Sequence, residues 1–498
     1  MTAPLPLSAR AVAPDLARGA MLLLIALANV HLFLLAAPGV RGYPDDPGGV
    51  GGTVVLLQMV LVDGRAYPLF ALLVGYGAVQ LARRRDDPGA AVRLLRRRGA
   101  WMVAIGAVHG ILLFPGDIVG AYGLLLVLLA GVLVRGTGVT LRTIAAVGVA
   151  VTVLLGAGTG LRTGALTLPS VAAGQVGTAL VVHIGEWLAG TLSSALFTAG
   201  MLAVGALAAR HGLLDEPDRH RRTLTRAAVG GLAVAVVAGL PLAVAAAGWW
   251  HPSAGLSALL GLLHAVGGLA GGIGYAALFG LLATRAAGPV GRALVATGRR
   301  SLTFYLAQSV VFCALLPAWT LGLGARIGVP GAALLALATW GASVLVATLL
   351  DRAGRRGPAE VLLRRLTYGS PPPPTSAPPA LTSPDRVYPV AEQDSSAKRT
   401  SEPAPTAGVP YHRALSGALG WGVIAFALQV VFGENGGSTG LLIQVGWILI
   451  AVVLAAWPTW YAARQRGWPE LWKLFLLAAP AFWVLRAVTL ILDRLLFH

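Results

Sequence analysis

Residues 98–123 read RGAWMVAIGAVHGILLFPGDIVGAYG, and this stretch decides the fold class. A basic flank ends at Arg98, and a mostly apolar run of helix length follows it. That run contains His109, breaks at Pro115-Gly116, and is followed by Asp117 at the start of another apolar run. An ionisable group is costly inside a bilayer, so it usually faces a bundle interior or a wet cavity and is a candidate functional residue by default. The stretch predicts a membrane-embedded helical hairpin that carries a histidine and a carboxylate.

The composition extends this prediction to the whole chain. Of the 498 residues, 56% are hydrophobic and only 12% are charged, whereas about a quarter of the residues are charged in an average soluble domain. We therefore predict an all-α polytopic membrane protein, with a bundle of about ten transmembrane helices and a C-terminal extension of three more. The net charge of +18 could suggest nucleic acid, but Lys and Arg stand in short blocks between apolar runs. Such blocks are typical of loops that face an anionic leaflet, so we expect the lipid bilayer, and no nucleic acid, as a partner.

The chemistry of metals and disulfides is not expected in this chain. Its single cysteine, Cys313, lies inside an apolar run and is interpreted as a small buried hydrophobe. The motifs GxxxxGK[ST], HExxH and CxxC do not occur in the sequence, so no metal site and no nucleotide loop are predicted. The glycine-rich segment 267–274 predicts close helix packing through small residues.

Transmembrane helices are predicted wherever an apolar run is long enough to cross the bilayer. They lie at 19–37, 66–82, 99–114, 117–134, 142–157, 178–208, 224–248, 255–283, 302–321 and 329–350, and then at 414–432, 440–463 and 472–494. The first is interpreted as a retained helix and not a removed signal peptide. The sixth is long enough to be tilted, or broken near Gly190. The run 53–62 is apolar but too short to span, so we place it along the interface.

The same pattern divides the chain into three predicted parts. Residues 1–369 form the main transmembrane domain, and residues 411–498 form an accessory module of three transmembrane helices. Residues 370–410 between them are rich in Pro and Ser and lack apolar periodicity. That composition predicts a disordered linker.

Arginine is dense in alternate loops, and this orients the bundle. The dense segments are 83–98, 210–226, 285–300 and 351–365, and the loops between them are poor in arginine. Because cytoplasmic loops carry the excess of Lys and Arg, we predict that the N-terminus and the linker are cytoplasmic and that His498 lies outside. Asp15 and Arg18 then lie at the cytoplasmic start of the first helix, with His109 and Asp117 towards the outer face.

Two groups of polar residues in the predicted helices are candidate sites. Arg18 and Asn29 are eleven residues apart, so they share a helix face and are separated by about 16 Å along it. They either line a path from the inner surface, or Arg18 extends to the headgroups while Asn29 bonds a neighbouring helix. In the second group, a hairpin at Pro115-Gly116 brings Asp117 towards His109, as in pairs of a catalytic base and its orienting carboxylate. We expect this pair to meet in a wet pocket sheltered from lipid.

Three further pairs favour a structural interpretation over a catalytic one. They are Asp63 with Arg65 as an ion pair in a loop at the outer interface, His183 with Glu186 on one helix face, and His264 with Tyr275 on another.

Four stretches resemble the motifs of one family, the YeiB-like bacterial inner-membrane proteins of unknown function. They are Asp15-Leu-Ala-Arg18-Gly19 through Asn29; Asp63-Gly-Arg65 through Gly75; Arg98 through Tyr122 with His109 and Gly116-Asp117-Ile118; and Gly298 through Ser309 with Gly357-Pro358-Ala-Glu360 and Arg365-Leu-Thr367-Tyr368-Gly369. Together these stretches extend over residues 10–369. Phe304 stands where the family has Asn before a tyrosine, and Val361 stands where it has an aromatic residue.

The resemblance implies the bacterial plasma membrane and a distant similarity to transmembrane acyltransferases. Enzymes of that group take an acyl group from cytoplasmic acyl-CoA, deliver it to an acceptor across the membrane, and use a membrane-embedded histidine. In the branch that modifies surface polysaccharides, the first helix carries Arg and then His eleven positions later, where this chain has Arg18 and Asn29. His109 is therefore the expected base or transient acyl carrier, oriented by Asp117. The residues expected to bind the acyl-CoA donor and a small-molecule or glycan acceptor are Asp15, Arg18, Asn29, Arg65, Tyr122, Arg299, Tyr305 and Gln308.

Two other functions stay open at the level of sequence. A small-molecule transporter or exporter also suits many helices with scattered polar residues, although no internal repeat and no matching pair of broken helices supports it. A non-catalytic membrane scaffold, with the linker and the last three helices as partner-binding parts, is the third possibility.

Overall fold

In the part of the chain that the structure describes, regular structure is almost entirely α-helical. The computed structural model describes residues 12–162, 166, 168–286, 288–368, 411–432, 448, 451–452, 454–463 and 474–486. The named helices in these ranges are α1 (Val12–Val30), α2 (Gly48–Leu61), α3 (Ala66–Arg83), α4 (Pro88–Leu112), α5 (Val119–Arg135), α6 (Gly138–Thr159), α7 (Val176–Arg210), α8 (Arg221–Ala246), α9 (Ala254–Ala283), α10 (Pro289–Gly298), α11 (Ser301–Leu315), α12 (Gly328–Arg352), α13 (Pro358–Tyr368) and α14 (Tyr411–Phe432). Within the described residues, β-structure is limited to two isolated bridges. The predicted all-α class is confirmed.

Seven helical segments in the described part of the chain are long and apolar enough to cross a membrane. They are Val12–Phe33, Gly48–Arg83, Gly138–Thr159, Val176–Arg210, Arg221–Ala246, Ala254–Ala283 and Gly328–Arg352. Three shorter apolar helices are Val119–Arg135, Ser301–Leu315 and Leu474–Arg486. A helix satisfies its own backbone hydrogen bonds, which is why apolar helices of this length are stable in lipid. The chain is a polytopic membrane protein, as its composition predicts.

Local sequence explains where helices begin, and α4 is the clearest case. The Asp87 carboxylate accepts hydrogen bonds from the backbone N–H groups of Gly89 (2.7 Å) and Ala90 (2.9 Å). Pro88 follows as the first helical residue, where its missing N–H has no partner to lose. The two backbone N–H groups lower the pKa of Asp87 below its usual value. Asp87 is thus the N-cap that fixes the start of α4 at Pro88.

One end of the bundle collects arginines from several helices. Arg83 at the end of α3 donates to the backbone carbonyl of Arg210 at the end of α7 (2.9 Å). Arg18, near the start of α1, lies beside Gly77 of α3. We call this the arginine-rich end. At the opposite end, the aromatic rings that follow α1 and α4 stack with their centroids 5.3 Å apart.

α2 and α3 are two halves of one broken span. The segment Gly48–Arg83 is 36 residues long, and its helix is interrupted at 62–65. Gly64 in this break has φ +77°, a left-handed conformation that favours glycine, and it lies against His264. His264 is the eleventh residue of α9, about 15 Å from the start of that helix. The break therefore lies inside the helix bundle, against the first half of α9.

Two predictions about this segment are wrong. Residues 53–62 do not lie along the interface, since α2 packs against α8 and α12 and its Val55 and Met59 are fully buried. Asp63 and Arg65 do not form an exposed ion pair in a loop, since they are 7% and 0% exposed and both oxygens of Asp63 accept from Arg41. The apolar run 53–62 was judged too short to span the membrane. It is one half of a broken span, and each half is shorter than a complete one.

Several helix boundaries also differ from the prediction. α1 begins at Val12, so Asp15 and Arg18 belong to the helix itself. α7 runs without a break from Val176 to Arg210. The helix predicted at 302–321 ends at Leu315. α10 and α13 were not predicted, because they are only ten and eleven residues long and neither is an apolar run of spanning length.

The described residues fall into two compact units, the second of which begins at Tyr368. α14 matches the helix predicted at 414–432. In this unit the Trp421 ring stacks on Phe475 with centroids 4.6 Å apart, and its Nε1 donates to the Phe475 carbonyl at 2.7 Å. The linker predicted at 370–410 lies outside the described residues, and the helices predicted at 440–463 and 472–494 lie only partly within them. The proposed domain boundaries therefore stay a prediction.

Candidate functional site

His109 and Asp117 form a buried pair at the turn between α4 and α5. His109 Nδ1 lies 2.9 Å from Asp117 Oδ1, and the two side chains are 2% and 0% exposed. The other carboxylate oxygen, Oδ2, accepts the backbone N–H of Gly120 at 2.6 Å. An ionised carboxylate can only accept, so Nδ1 carries a proton, and in the neutral imidazole Nε2 then presents its lone pair. Nε2 is buried and has no hydrogen-bond partner among the described residues, so its lone pair is not used by the protein.

The absence of a side chain at Gly106 allows α4 to pack closely against the start of α5. A Cβ atom at Gly106 would lie 2.4 Å from both Asp117 Oδ2 and the backbone nitrogen of Gly120. Real Cβ atoms do not approach other atoms so closely, so any larger residue at this position would displace the carboxylate or α5. The predicted hairpin at Pro115-Gly116 is confirmed. Gly106 of α4 leaves the space in which Asp117 approaches His109.

Tyr305 of α11 bounds the pair on one side. Its ring centroid lies 5.1 Å from that of His109, and its hydroxyl accepts the backbone N–H of Ile118 at 3.3 Å. α11 is fixed to α1 through Gln308, whose Nε2 donates to the Leu22 carbonyl at 3.1 Å. Phe304 packs into the apolar core, so this chain makes an apolar contact where the YeiB-like family has an amide.

A cavity of about 260 Å³ lies beside Tyr305. Its polar lining residues are Asn29, Arg41, Asp63, Tyr67, Tyr122, Thr159, Ser194, Thr198, His264 and Tyr305, and its apolar ones include Ile25, Phe70, Ile118 and Phe197. Small-molecule sites typically enclose about 300–1,000 Å³, with apolar walls and a few convergent polar groups. The cavity is slightly smaller than that range and has the same mixed lining.

Arg41 and Asp63 form an ion pair on the cavity wall. Arg41 Nε donates to Asp63 Oδ2 at 2.6 Å, and its Nη2 donates to Oδ1 at 3.1 Å. Burial alone would lower the pKa of Arg41, but the Asp63 carboxylate and its hydrogen bonds hold that pKa above its usual value. Arg41 has φ 56° and is the one non-glycine residue with a positive φ among the described residues. Such strained conformations concentrate at binding and catalytic sites.

Arg65 is buried at the break between α2 and α3 and does not line the cavity. Its Nη2 donates to the Ala235 carbonyl at 2.7 Å, and its Nη1 donates to the Asp63 backbone carbonyl. Nη1 also lies 3.1 Å from Nε2 of His264. Nη1 is 3.4 Å from the other ring nitrogen, Nδ1, as well, so the guanidinium lies over the imidazole. A second positive charge at this distance would be repelled, which favours the neutral imidazole. The predicted Asp63–Arg65 side-chain pair does not form, because Arg41 occupies both oxygens of the carboxylate.

The structure places three of the predicted binding residues on the cavity. Asn29, Tyr122 and Tyr305 all line it. The Tyr122 hydroxyl donates to the Tyr67 carbonyl at 3.1 Å, which ties α5 to α3. The catalytic candidates His109 and Asp117 are not among the lining residues, so the pair meets as predicted but not on the wall of this cavity. His109 contacts the lining residue Tyr305.

Three other predicted binding residues lie near the arginine-rich start of α1. Asp15 Oδ1 accepts from Arg18 at 3.2 Å, and Asp15 Oδ2 lies 3.7 Å from Nε of Arg299. Arg299 also lies 3.7 Å from Asp351 of α12. None of these residues lines the cavity. Arg18 and Asn29 are about 16 Å apart along α1. The cluster of Asp15, Arg18 and Arg299 is therefore a different site from the cavity that Asn29 lines.

The structural interpretation holds for His183 and Glu186. His183 Nδ1 lies 2.9 Å from the Ile111 carbonyl. Glu186 accepts the backbone N–H and the hydroxyl of Ser170 at 2.9 and 2.6 Å. Both side chains therefore connect α7 to neighbouring segments.

Arg41 and His264 line the cavity, and neither was predicted from the sequence to belong to a site. Arg41 is the lone arginine of a loop that was noted only for being poor in arginine. His264 was interpreted as structural together with Tyr275, whose hydroxyl instead donates to the Leu61 carbonyl at 2.8 Å. One available signal was the depth of His264 in a 30-residue apolar helix, where a polar side chain needs a partner.

Comparison with known proteins agrees with the motifs. Residues 208–370 match the family described as "Protein of unknown function (DUF418)". A protein of Escherichia coli (strain K12) described as "Uncharacterized protein YeiB" is 29% identical over 327 residues, which is 60% of this chain and 80% of that protein. No solved structure matches. The resemblance to the YeiB-like family is thereby confirmed, whereas the similarity to acyltransferases stays a prediction, since neither description assigns an activity.

Proposed function

We propose that this YeiB-like chain is a membrane-embedded acyltransferase, which moves an acyl group from cytoplasmic acyl-CoA to an acceptor at or across the bacterial plasma membrane. The observation that carries the proposal is the hydrogen bond between His109 Nδ1 and Asp117 Oδ1, 2.9 Å long and buried. A carboxylate that fixes one imidazole nitrogen leaves the other as an oriented base, which acyl transfer requires.

The donor side of the proposal rests on the arginine-rich end. With the N-terminus in the cytoplasm, as the arginine distribution favours, this end faces the pool of acyl-CoA. Arg18 and Arg299 are 25% and 21% exposed there. Guanidinium groups bind phosphate oxygens through charge-assisted, often paired hydrogen bonds, so these two residues would contact the anionic CoA moiety. Asp15, which lies between them, would hold them in position.

In the proposed reaction, His109 Nε2 removes the proton of an acceptor hydroxyl or amine. The acceptor oxygen or nitrogen attacks the thioester carbonyl, its bond to the acyl carbon forms, and the bond from that carbon to sulfur breaks. The proton passes from His109 to the departing thiolate, so charge and atoms balance. A variant of this path makes His109 a transient acyl carrier. Asn29, Tyr122 and Tyr305 on the cavity wall would bind the small-molecule or glycan acceptor.

The proposal is tested by the loss of the imidazole. Inverted membrane vesicles that contain the chain expose its cytoplasmic face to added acetyl-CoA and retain native acceptors. We expect His109→Ala to slow thiol release by about 100-fold or more, the usual contribution of a general base. His183→Ala is the matched control, because His183 is equally buried but bonds a backbone carbonyl. Thiol release that is unchanged by His109→Ala combined with Arg18→Ala would remove the proposal.

A second candidate function, small-molecule transport, is favoured by the broken span. Transporters commonly bind substrate near the bilayer midplane at discontinuous helices, and the break at 62–65 brings Asp63 and Gly64 to the cavity. The same vesicles separate the two functions. Consumption of the thioester without solute accumulation supports acyl transfer, whereas accumulation of a solute without thioester consumption supports transport.

A further inference from the structure

We infer that the cavity at the break of the α2–α3 span binds a small organic anion, with the carboxylate of that anion on Arg41. This inference does not depend on acyl transfer, since it concerns binding alone. It rests on the charges around the break, on the free donors of Arg41 and on the lining of the cavity.

The charges around the break do not balance. Two guanidinium groups, those of Arg41 and Arg65, lie within hydrogen-bonding distance of Asp63, through its carboxylate and its backbone carbonyl respectively. Asp63 is the one carboxylate that contacts either of them among the described residues, and His264 is neutral in the geometry described above. The cluster therefore carries a net charge of about +1 inside the helix bundle. A buried charge without a counter-charge is costly, so a monoanion in the cavity would be bound favourably.

Arg41 has the donors to bind that anion. Its Nε and Nη2 are used by Asp63, while Nη1 makes no hydrogen bond to any described residue. The side chain is 17% exposed and lines the cavity. Because the Asp63 pair fixes the plane of the guanidinium, Nη1 is held in place before a ligand arrives. A preorganised donor loses little entropy on binding.

The rest of the lining fits a carboxylate attached to a small apolar body. Asn29 and the hydroxyl groups of Ser194 and Thr198 supply further polar contacts, whereas Phe70 and Phe197 supply apolar surface. A water molecule occupies about 30 Å³ of liquid volume, so about 260 Å³ holds a ligand the size of roughly eight or nine waters. Benzoate is a suitable probe of this size and charge.

The first experiment compares benzoate with its neutral amide. The full-length protein is placed in nanodiscs of phosphatidylcholine, and benzoate or benzamide is titrated by calorimetry and by thermal shift. We expect benzoate to bind and to raise the apparent Tm with a dependence on ligand concentration, and benzamide to bind at least about tenfold more weakly. Equal binding of the two probes, or none by either, would overturn the inference.

Two substitutions in the ion pair give opposite predictions. Arg41→Gln should weaken benzoate binding at least about tenfold, because it removes the donor. Asp63→Asn should tighten it several-fold, because it frees the other guanidinium N–H groups and raises the positive charge of the cluster. Simple damage to the fold would weaken binding in both variants, and that result would contradict the inference.

Folding and alternative ligands are controlled separately. If Arg41→Gln does not fold, Arg41→Lys keeps the charge but loses the planar fork, and it should still weaken binding measurably. Arg162→Gln, which removes a partner of Asp45 that does not line the cavity, should leave benzoate binding unchanged. Loss of the benzoate signal when phosphatidylglycerol is added would assign the site to lipid headgroups and overturn the small-molecule version.

Discussion

At the scale of single residues, two buried carboxylates determine which polar atoms are available for chemistry. Asp117 uses one oxygen for His109 and the other for the Gly120 N–H. Asp63 uses both of its oxygens for Arg41. A buried carboxylate without such partners would be costly, so each is held in one geometry. Each partner keeps one nitrogen that the carboxylate does not use, Nε2 in His109 and Nη1 in Arg41, and these are the atoms to which we assign the proposed reaction and the proposed binding.

The first prediction at this scale concerns Asp117→Asn. The amide can donate to His109 Nδ1, which moves the imidazole proton to Nε2 and removes the lone pair there. We expect kcat for thiol release from acetyl-CoA to fall about 100-fold or more, with little change in KM, because Asp117 lies far from the arginines proposed to bind the donor. Asp46→Asn, at an exposed loop position, should leave both constants unchanged. A rise in KM with kcat intact would argue against the assigned role.

At the scale of elements, the two parts of the site were not equally predictable. The α4–α5 hairpin was predictable because a proline and a glycine interrupt two apolar runs, and local signals of this kind persist in the fold. The broken span was not, because each half is too short to be recognised as spanning and the partner of the break, α9, is about 200 residues away. Arg41 was missed for the same reason, since the contact that gives it a role is with Asp63 across the α2 helix.

The hairpin gives a prediction about packing. Gly106→Ala places a Cβ against Asp117 Oδ2 and the Gly120 backbone nitrogen, so it should destabilise the protein by about 1–3 kcal/mol through overpacking. Gly131→Ala in α5 is the matched control, because nothing lies within 4 Å of its added Cβ; it should be neutral or slightly stabilising. Apparent Tm values of the purified full-length variants in detergent give the comparison. Equal Tm values for the two variants would contradict the close approach.

At the scale of the whole molecule, composition and arginine distribution predict most of the architecture. Apolar run length gave the helical class and the approximate position of the long spans, because the bilayer imposes one length on all of them. It did not give α10 and α13, since short helices can be buried against a bundle without crossing the membrane. The predicted orientation rests on the arginine-dense segments 83–98, 210–226, 285–300 and 351–365.

Cysteine labelling measures that orientation. The one native cysteine, Cys313, is buried, so introduced cysteines can be labelled selectively. Asp46→Cys and Asp86→Cys place thiols at exposed positions in the loops after α1 and after α3. With the N-terminus in the cytoplasm, a membrane-impermeant maleimide should label the Asp46 variant in intact spheroplasts and the Asp86 variant only after lysis. The reverse pattern would invert the bundle and place the arginine-rich end outside.

The central claim is that His109 and Asp117 act as one unit in acyl transfer, and a double-mutant cycle tests it most directly. Thiol release from acetyl-CoA is measured in vesicles with the unmodified chain, His109→Ala, Asp117→Asn and the double variant. Residues that act together are strongly non-additive, so we predict that the double variant is no slower than His109→Ala alone. Losses that multiply in the double variant, or no loss in any of the three, would contradict the claim.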